Sequence, residues 1–153
     1  MTPKIAAATV GSGPGDNNAA VTVTGSGSTW ANNGNLRVGE SGSLNSLTIA
    51  AGGRVSGMDA GNFTIGYNTG ANNNSVTVSG PGSALNIGNT LEVGRQGAGN
   101  SLTLSDGATA NCYLFYLSGG VGNPAGASNS RLTVTGSGSL LYVFANYDIA
   151  DRG

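Results

Sequence analysis

The chain has 153 residues, a length that suits one domain, with six Lys+Arg against seven Asp+Glu and a net charge of −1. No basic stripe is present to neutralise phosphates, which argues against a nucleic-acid partner. One cysteine and no histidine exclude a disulfide framework and a thiolate zinc site. Charged residues make up only 8%, so Asn, Ser, Thr and 28 Gly keep the surface soluble, and such a near-neutral surface tolerates close self-association.

Taken in chain order, Met1-Thr2-Pro3-Lys4-Ile5 lacks the apolar core of a signal peptide, so an exported form would have its targeting segment elsewhere. No apolar run approaches membrane-spanning length, and no membrane insertion is expected. Ala8-Thr9-Val10 opens an N-terminal partial coil over residues 8–20. Then one alternation recurs five times: Val21-Thr22-Val23, Leu47-Thr48-Ile49, Val76-Thr77-Val78, Leu102-Thr103-Leu104 and Leu132-Thr133-Val134, at steps of 26, 29, 26 and 30 residues. After each comes a weaker run, in turn Trp30, Val55, Leu85-Asn86-Ile87, Ala110-Asn111-Cys112 and Leu141-Tyr142-Val143. A further alternation follows: Leu36-Arg37-Val38, Phe63-Thr64-Ile65, Leu91-Glu92-Val93, Phe115-Tyr116-Leu117 and Tyr147-Asp148-Ile149. Corners such as Gly25-Ser26-Gly27, Gly80-Pro81-Gly82 and Asp106-Gly107 separate the runs, and all four Pro fall outside them.

Period-two runs that return at a fixed step predict a single-stranded parallel β-helix. It comprises about five coils of 26–30 residues over 21–150, with three short strands per coil, in one domain spanning 1–153. A propeller blade needs about 40 residues, more than the observed step. Stacked coils place Val21, Leu47, Val76, Leu102 and Leu132 in one inward column, roughly 24 Å tall at sheet spacing. Asn45, Asn74, Asn100 and Asn129 recur before the first strand. They stack as an axial hydrogen-bonded ladder or serve simply as turn formers, and both readings stand.

The block Asn74-Ser75-Val76-Thr77-Val78 leading to Leu91-Glu92-Val93-Gly94, with Asn100-Ser101-Leu102-Thr103-Leu104, resembles the repeat of autotransporter (type V secretion) and PEP-CTERM-associated bacterial surface proteins. The likeness covers about residues 8–150. It implies an exported β-helical stalk or matrix protein, extracellular or at the cell surface. The last coil departs from the pattern, being more aromatic at Tyr142, Phe144 and Tyr147.

Chemistry is sparse, and no catalytic residue, cofactor or metal site is assigned. Of the acids, Glu92 and Asp148 share a strand column with Tyr116 between them, which reads as two solvated acids rather than a glycosidase pair. Gly11 to Asp16 faintly resembles a calcium-binding Gly/Asp turn, but only one copy carries an Asp. Cys112 and Trp30 read as core. Asn62-Phe63-Thr64 and Asn73-Asn74-Ser75 match the N-glycan acceptor pattern. Thr22, Thr48, Thr77, Thr103 and Thr133 form an outward hydroxyl array similar to those of ice-binding solenoids, or they answer only to the β propensity of Thr.

The expected function is therefore non-enzymatic: a secreted solenoid forming a filament, stalk or matrix by head-to-tail self-association. The alternatives are a carbohydrate- or surface-binding adhesin, using an exposed Tyr116 and the loop 119–129, and ice binding through the Thr array. One count constrains the first reading. Six strands are expected in the column that begins with Ala8-Thr9-Val10, against five in each of the others.

Overall fold

A computed structural model describes residues 7–58, 60–119 and 127–149, with the side chains of 57 and 58 left out. Its described strands are β1 (Ala7–Val10), β2 (Ala20–Thr24), β3 (Thr29–Ala31), β4 (Asn35–Val38), β5 (Ser46–Ala50), β6 (Arg54–Met58) and β7 (Phe63–Ile65). They continue with β8 (Ser75–Ser79), β9 (Ala84–Ile87), β10 (Thr90–Val93), β11 (Ser101–Ser105), β12 (Thr109–Leu117), β13 (Arg131–Thr135) and β14 (Leu140–Ile149). Every pairing is parallel, and each strand pairs with its equivalent one coil away. The chain is thus a parallel β-solenoid of five coils.

The solenoid has three faces. The first stacks β2, β5, β8, β11 and β13. The second stacks β3, β6, β9 and the leading halves of β12 and β14; the third stacks β1, β4, β7, β10 and the trailing halves of β12 and β14. Among the described residues the count of five, five and six strands expected from the repeat holds. In the last two coils the second and third strands run together as β12 and β14. Only Tyr113 separates Cys112 from Leu114, whereas three residues, Asn32-Asn33-Gly34, separate β3 from β4. The corner shrinks to a register shift between Cys112 and Leu114.

The alternation fixes which side faces in. Val21, Leu47, Val76, Leu102 and Leu132 are register partners, so the expected inward column exists. Leu36, Leu47, Ile49, Phe63, Ile65, Leu85, Leu91, Leu102 and Leu104 are completely buried inside the stack. Each such side chain contributes about 1.5–3 kcal/mol through burial, and each needs the coils above and below for it. Cys112 joins this core, as expected, while Trp30 in the first coil is half-buried and packs against its edge.

Candidate functional site

The corner between the third and first faces is built from a glycine–asparagine contact repeated in successive coils. Asn45, Asn74 and Asn100 are fully buried and immediately precede β5, β8 and β11. Asn74 Oδ1 accepts from the main-chain N of Asn45 at 2.9 Å and from its Nδ2 at 3.1 Å. Asn100 Oδ1 accepts likewise from Asn74 N at 2.8 Å and Asn74 Nδ2 at 3.1 Å. Ala19 N donates to Asn45 Oδ1 at 2.9 Å, and Asn100 Nδ2 donates to the Gly97 and Ala71 carbonyls. The axial ladder is real, so these residues are more than turn formers. Its amides press on Gly11, Gly39 and Gly66, where a Cβ would collide with Asn45, Asn74 and Asn100 in turn. Those glycines also sit at φ +75, +75 and +74, so both backbone geometry and space demand glycine there.

Asn129 does not belong to the ladder. Register pairs Ser101 with Arg131, so Ser130 occupies the ladder position, and its buried Oγ has no hydrogen-bond partner among the described residues. Asn129 falls one residue earlier, in a column of left-handed residues: Asn18 (φ 61), Leu44 (φ 61), Asn73 (φ 56), Gly99 (φ 68) and Asn129 (φ 59). Asn tolerates that conformation, and Asn129 is exposed for this turn-forming role. The Asn-Ser spacing misled because Asn129-Ser130-Arg131 carries one more residue before its strand than Asn100-Ser101 does.

The first face carries the Thr array. Thr22, Thr48, Thr77, Thr103 and Thr133 are mutual register partners with no irregularity along the face. Thr22 is exposed and the other four are half-buried. Beside them run Thr24, Ala50, Ser79, Ser105 and Thr135 on one flank and Ala20, Ser46, Ser75, Ser101 and Arg131 on the other. Arg131 is the one charge in this sheet of small, mostly hydroxyl-bearing side chains.

The third face holds the densest polar chemistry. Thr9, Arg37, Thr64, Glu92, Tyr116 and Asp148 form one outward column. Glu92 is only 6% exposed: Thr64 Oγ1 donates to its Oε2 at 2.9 Å, and Arg95 Nη1 lies 3.7 Å from the same oxygen. Arg37 donates to Glu40. The Tyr67 ring lies between two guanidiniums, 3.9 Å from Arg37 and 4.6 Å from Arg95. The arrangement is a self-satisfied cluster in which both arginines have carboxylate partners. Glu92 is thus buried and paired rather than solvated, whereas Asp148 is exposed, as expected of a solvated acid. Sequence reasoning missed Tyr67, which lies in a corner outside the alternating runs. Tyr116 is half-buried, contrary to expectation, and Tyr113 at the β12 corner is the residue 53% exposed.

The remaining candidates resolve simply. Asp16 binds its own loop, accepting from Gly13 N at 2.7 Å and Ser12 Oγ at 3.0 Å, and these bonds hold its carboxyl below the ordinary aspartate range. Burial pushes the Cys112 thiol up to about 12. Phe63 and Thr64 are buried within the first glycan-acceptor match, while Asn73 of the second is exposed. Of the loop 119–129, residues 120–126 lie outside the described residues. No group of three or more His, Cys, Asp or Glu side chains that could hold a metal occurs among the described residues, and no helix there is long and apolar enough to cross a membrane.

The terminal coils differ from the middle ones. On β13 and β14 the inward Val134, Tyr147 and Ile149 are 44%, 71% and 63% exposed. On the outward side of the second face, Leu140 and Tyr142 are 49% and 54% exposed, and Phe144 beyond them is 64% exposed. The Tyr142 and Phe144 rings sit 5.0 Å apart. At the other end Ala8, Val21, Val23 and Trp30 are half-buried against the core. No family model, curated protein or solved structure matches the chain.

Proposed function

We propose that this chain is a non-enzymatic structural protein, a secreted β-solenoid that builds an extracellular filament, stalk or matrix by joining end to end. The observation that carries this reading is the pair of open coil edges. β13 and β14 at one end, and β1, β2 and β3 at the other, each pair on one side only among the described residues. Unpaired strand edges over incompletely covered apolar side chains template addition of another strand layer. A head-to-tail contact of this kind propagates without closing. The near-neutral charge removes the repulsion that would oppose it, and the likeness to the surface-protein repeat supports the extracellular location.

Sedimentation and negative-stain electron microscopy across a concentration series test the reading. Growth into filaments of solenoid width is the expected result, and a stable monomer at high concentration would refute it. A second reading, an adhesin module that binds carbohydrate or another surface, is favoured by exposed Tyr113 on β12 and exposed Tyr142 and Phe144 on β14. Glycan-array binding that Tyr142→Ala abolishes is its signature. Ice binding is the minor alternative and rests on the unbroken Thr register. Thermal hysteresis in the parent, lost in Thr77→Leu, would support it; a parent without hysteresis ends it.

A further inference from the structure

We propose that β1 is a plug: it occupies the slot that a joining copy needs, so end-to-end assembly requires β1 to leave its place on β4. The inference rests on the end-to-end reading above and concerns how the joint is made.

The argument is a matter of counting rungs. Among the described residues the first and second faces hold five strands each, and the third holds six. A second copy moved along the axis by five rungs brings its β2 onto β13 and its β3 onto the leading half of β14. Val21 and Val23 then lie over Leu132 and Val134, and Trp30 over Leu141, continuing the inward columns already in register. The same movement drives its β1 into the slot held by residues 146–149 of the first copy. A movement of six rungs relieves that collision. It leaves an empty layer of about 4.8 Å across two of the three faces, where no main-chain hydrogen bond can form. One of the two third-face segments must yield.

β1 is the one that yields. It has four residues, Ala-Ala-Thr-Val, and its described pairing is with β4 alone. It offers the core only Ala8 and Val10. Residues 146–149 continue a ten-residue strand that pairs with β12 along both faces. If they keep the slot, Tyr147 and Ile149 come under Leu36 and Val38 of the second copy. That covers two side chains now 71% and 63% exposed. A second copy is the fitting occupant because it presents three parallel strands at the required spacing, with the required inward alternation.

A reversible lock tests this. Thr9 and Arg37 are register partners on β1 and β4, both outward, at the Cα separation that parallel neighbours share and a disulfide can bridge. In the Thr9→Cys/Arg37→Cys variant the native Cys112 is fully buried and does not compete. The assay is light scattering with electron microscopy. The oxidised variant is expected to elongate at least tenfold more slowly than the same protein in dithiothreitol, with reduction restoring growth. Deleting residues 1–11 should make elongation faster than in the parent; if that variant fails to fold, the lock alone decides. Equal elongation of oxidised and reduced forms would overturn the plug and leave end-to-end assembly standing. If the parent, the reduced pair and the deletion all stay monomeric, the end-to-end reading falls and the plug with it.

Discussion

Replacing Asn74 with Ala probes the ladder at its middle rung. The substitution removes the acceptor of two donors in a fully buried corner: Asn45 N–H at 2.9 Å and Asn45 Nδ2 at 3.1 Å. Asn100 Oδ1 keeps one bond, from the Asn74 main chain, so it is not stranded. Each orphaned buried donor costs about 1–3 kcal/mol, which sets the expected loss at roughly 2–6 kcal/mol. Asn129→Ala supplies the control. There the exposed side chain has no ladder role, and only the left-handed backbone is penalised, at about 1–2 kcal/mol. Urea unfolding followed by circular dichroism reads both, provided the slope with denaturant stays constant. The Asn74 variant should lose clearly more than the Asn129 variant. Equal losses would refute the claim that the ladder, rather than turn propensity, explains the recurrent Asn.

Four further outcomes are expected. Gly70→Ala, at φ +91 with open space around it, should cost about 1–2 kcal/mol from backbone strain; Gly66→Ala should cost about 1–3 kcal/mol more because its Cβ enters the Asn100 amide. That excess should shrink when Asn100→Ala is present, as a double-mutant cycle by thermal unfolding would show. Leu44 is an aliphatic residue at φ +61 in a column otherwise held by Asn and Gly, so Leu44→Asn should raise stability by up to about 1 kcal/mol in the same measurement. Cys112, with its thiol held up at about 12 by burial, should resist Ellman's reagent in the folded protein and react at once in denaturant; rapid native reaction would contradict its place in the core. Because the Gly13 N–H and the Ser12 hydroxyl lower the Asp16 pKa, the loop's stabilisation is present above the unfolded aspartate pKa and lost as pH falls through the folded value. Carboxyl NMR should place the Asp16 midpoint below the ordinary range, and Ser12→Ala should move it upward.

The sequence by itself determined the architecture. A Thr flanked by two aliphatics, returning every 26–30 residues, specifies one inward and one outward side, and a one-residue slip would turn every aliphatic outward. Together with the two further runs that recur between its copies, this motif sets the three columns, their strand counts and the partners of the inward residues. Tertiary structure decided what depends on exact register at corners, where no alternation constrains the chain. It moved Asn129 out of the ladder, because one additional residue precedes its strand. It placed Tyr67 between Arg37 and Arg95, and it buried Glu92, an outward residue that its strand pattern marks as solvated. It also tied the glycines after the third strand to the ladder, since Gly39 and Asn74 are 35 positions apart in sequence yet in contact across adjacent coils. Periodicity reports the direction in which a side chain leaves the backbone; only the stacked coils supply the neighbour it meets.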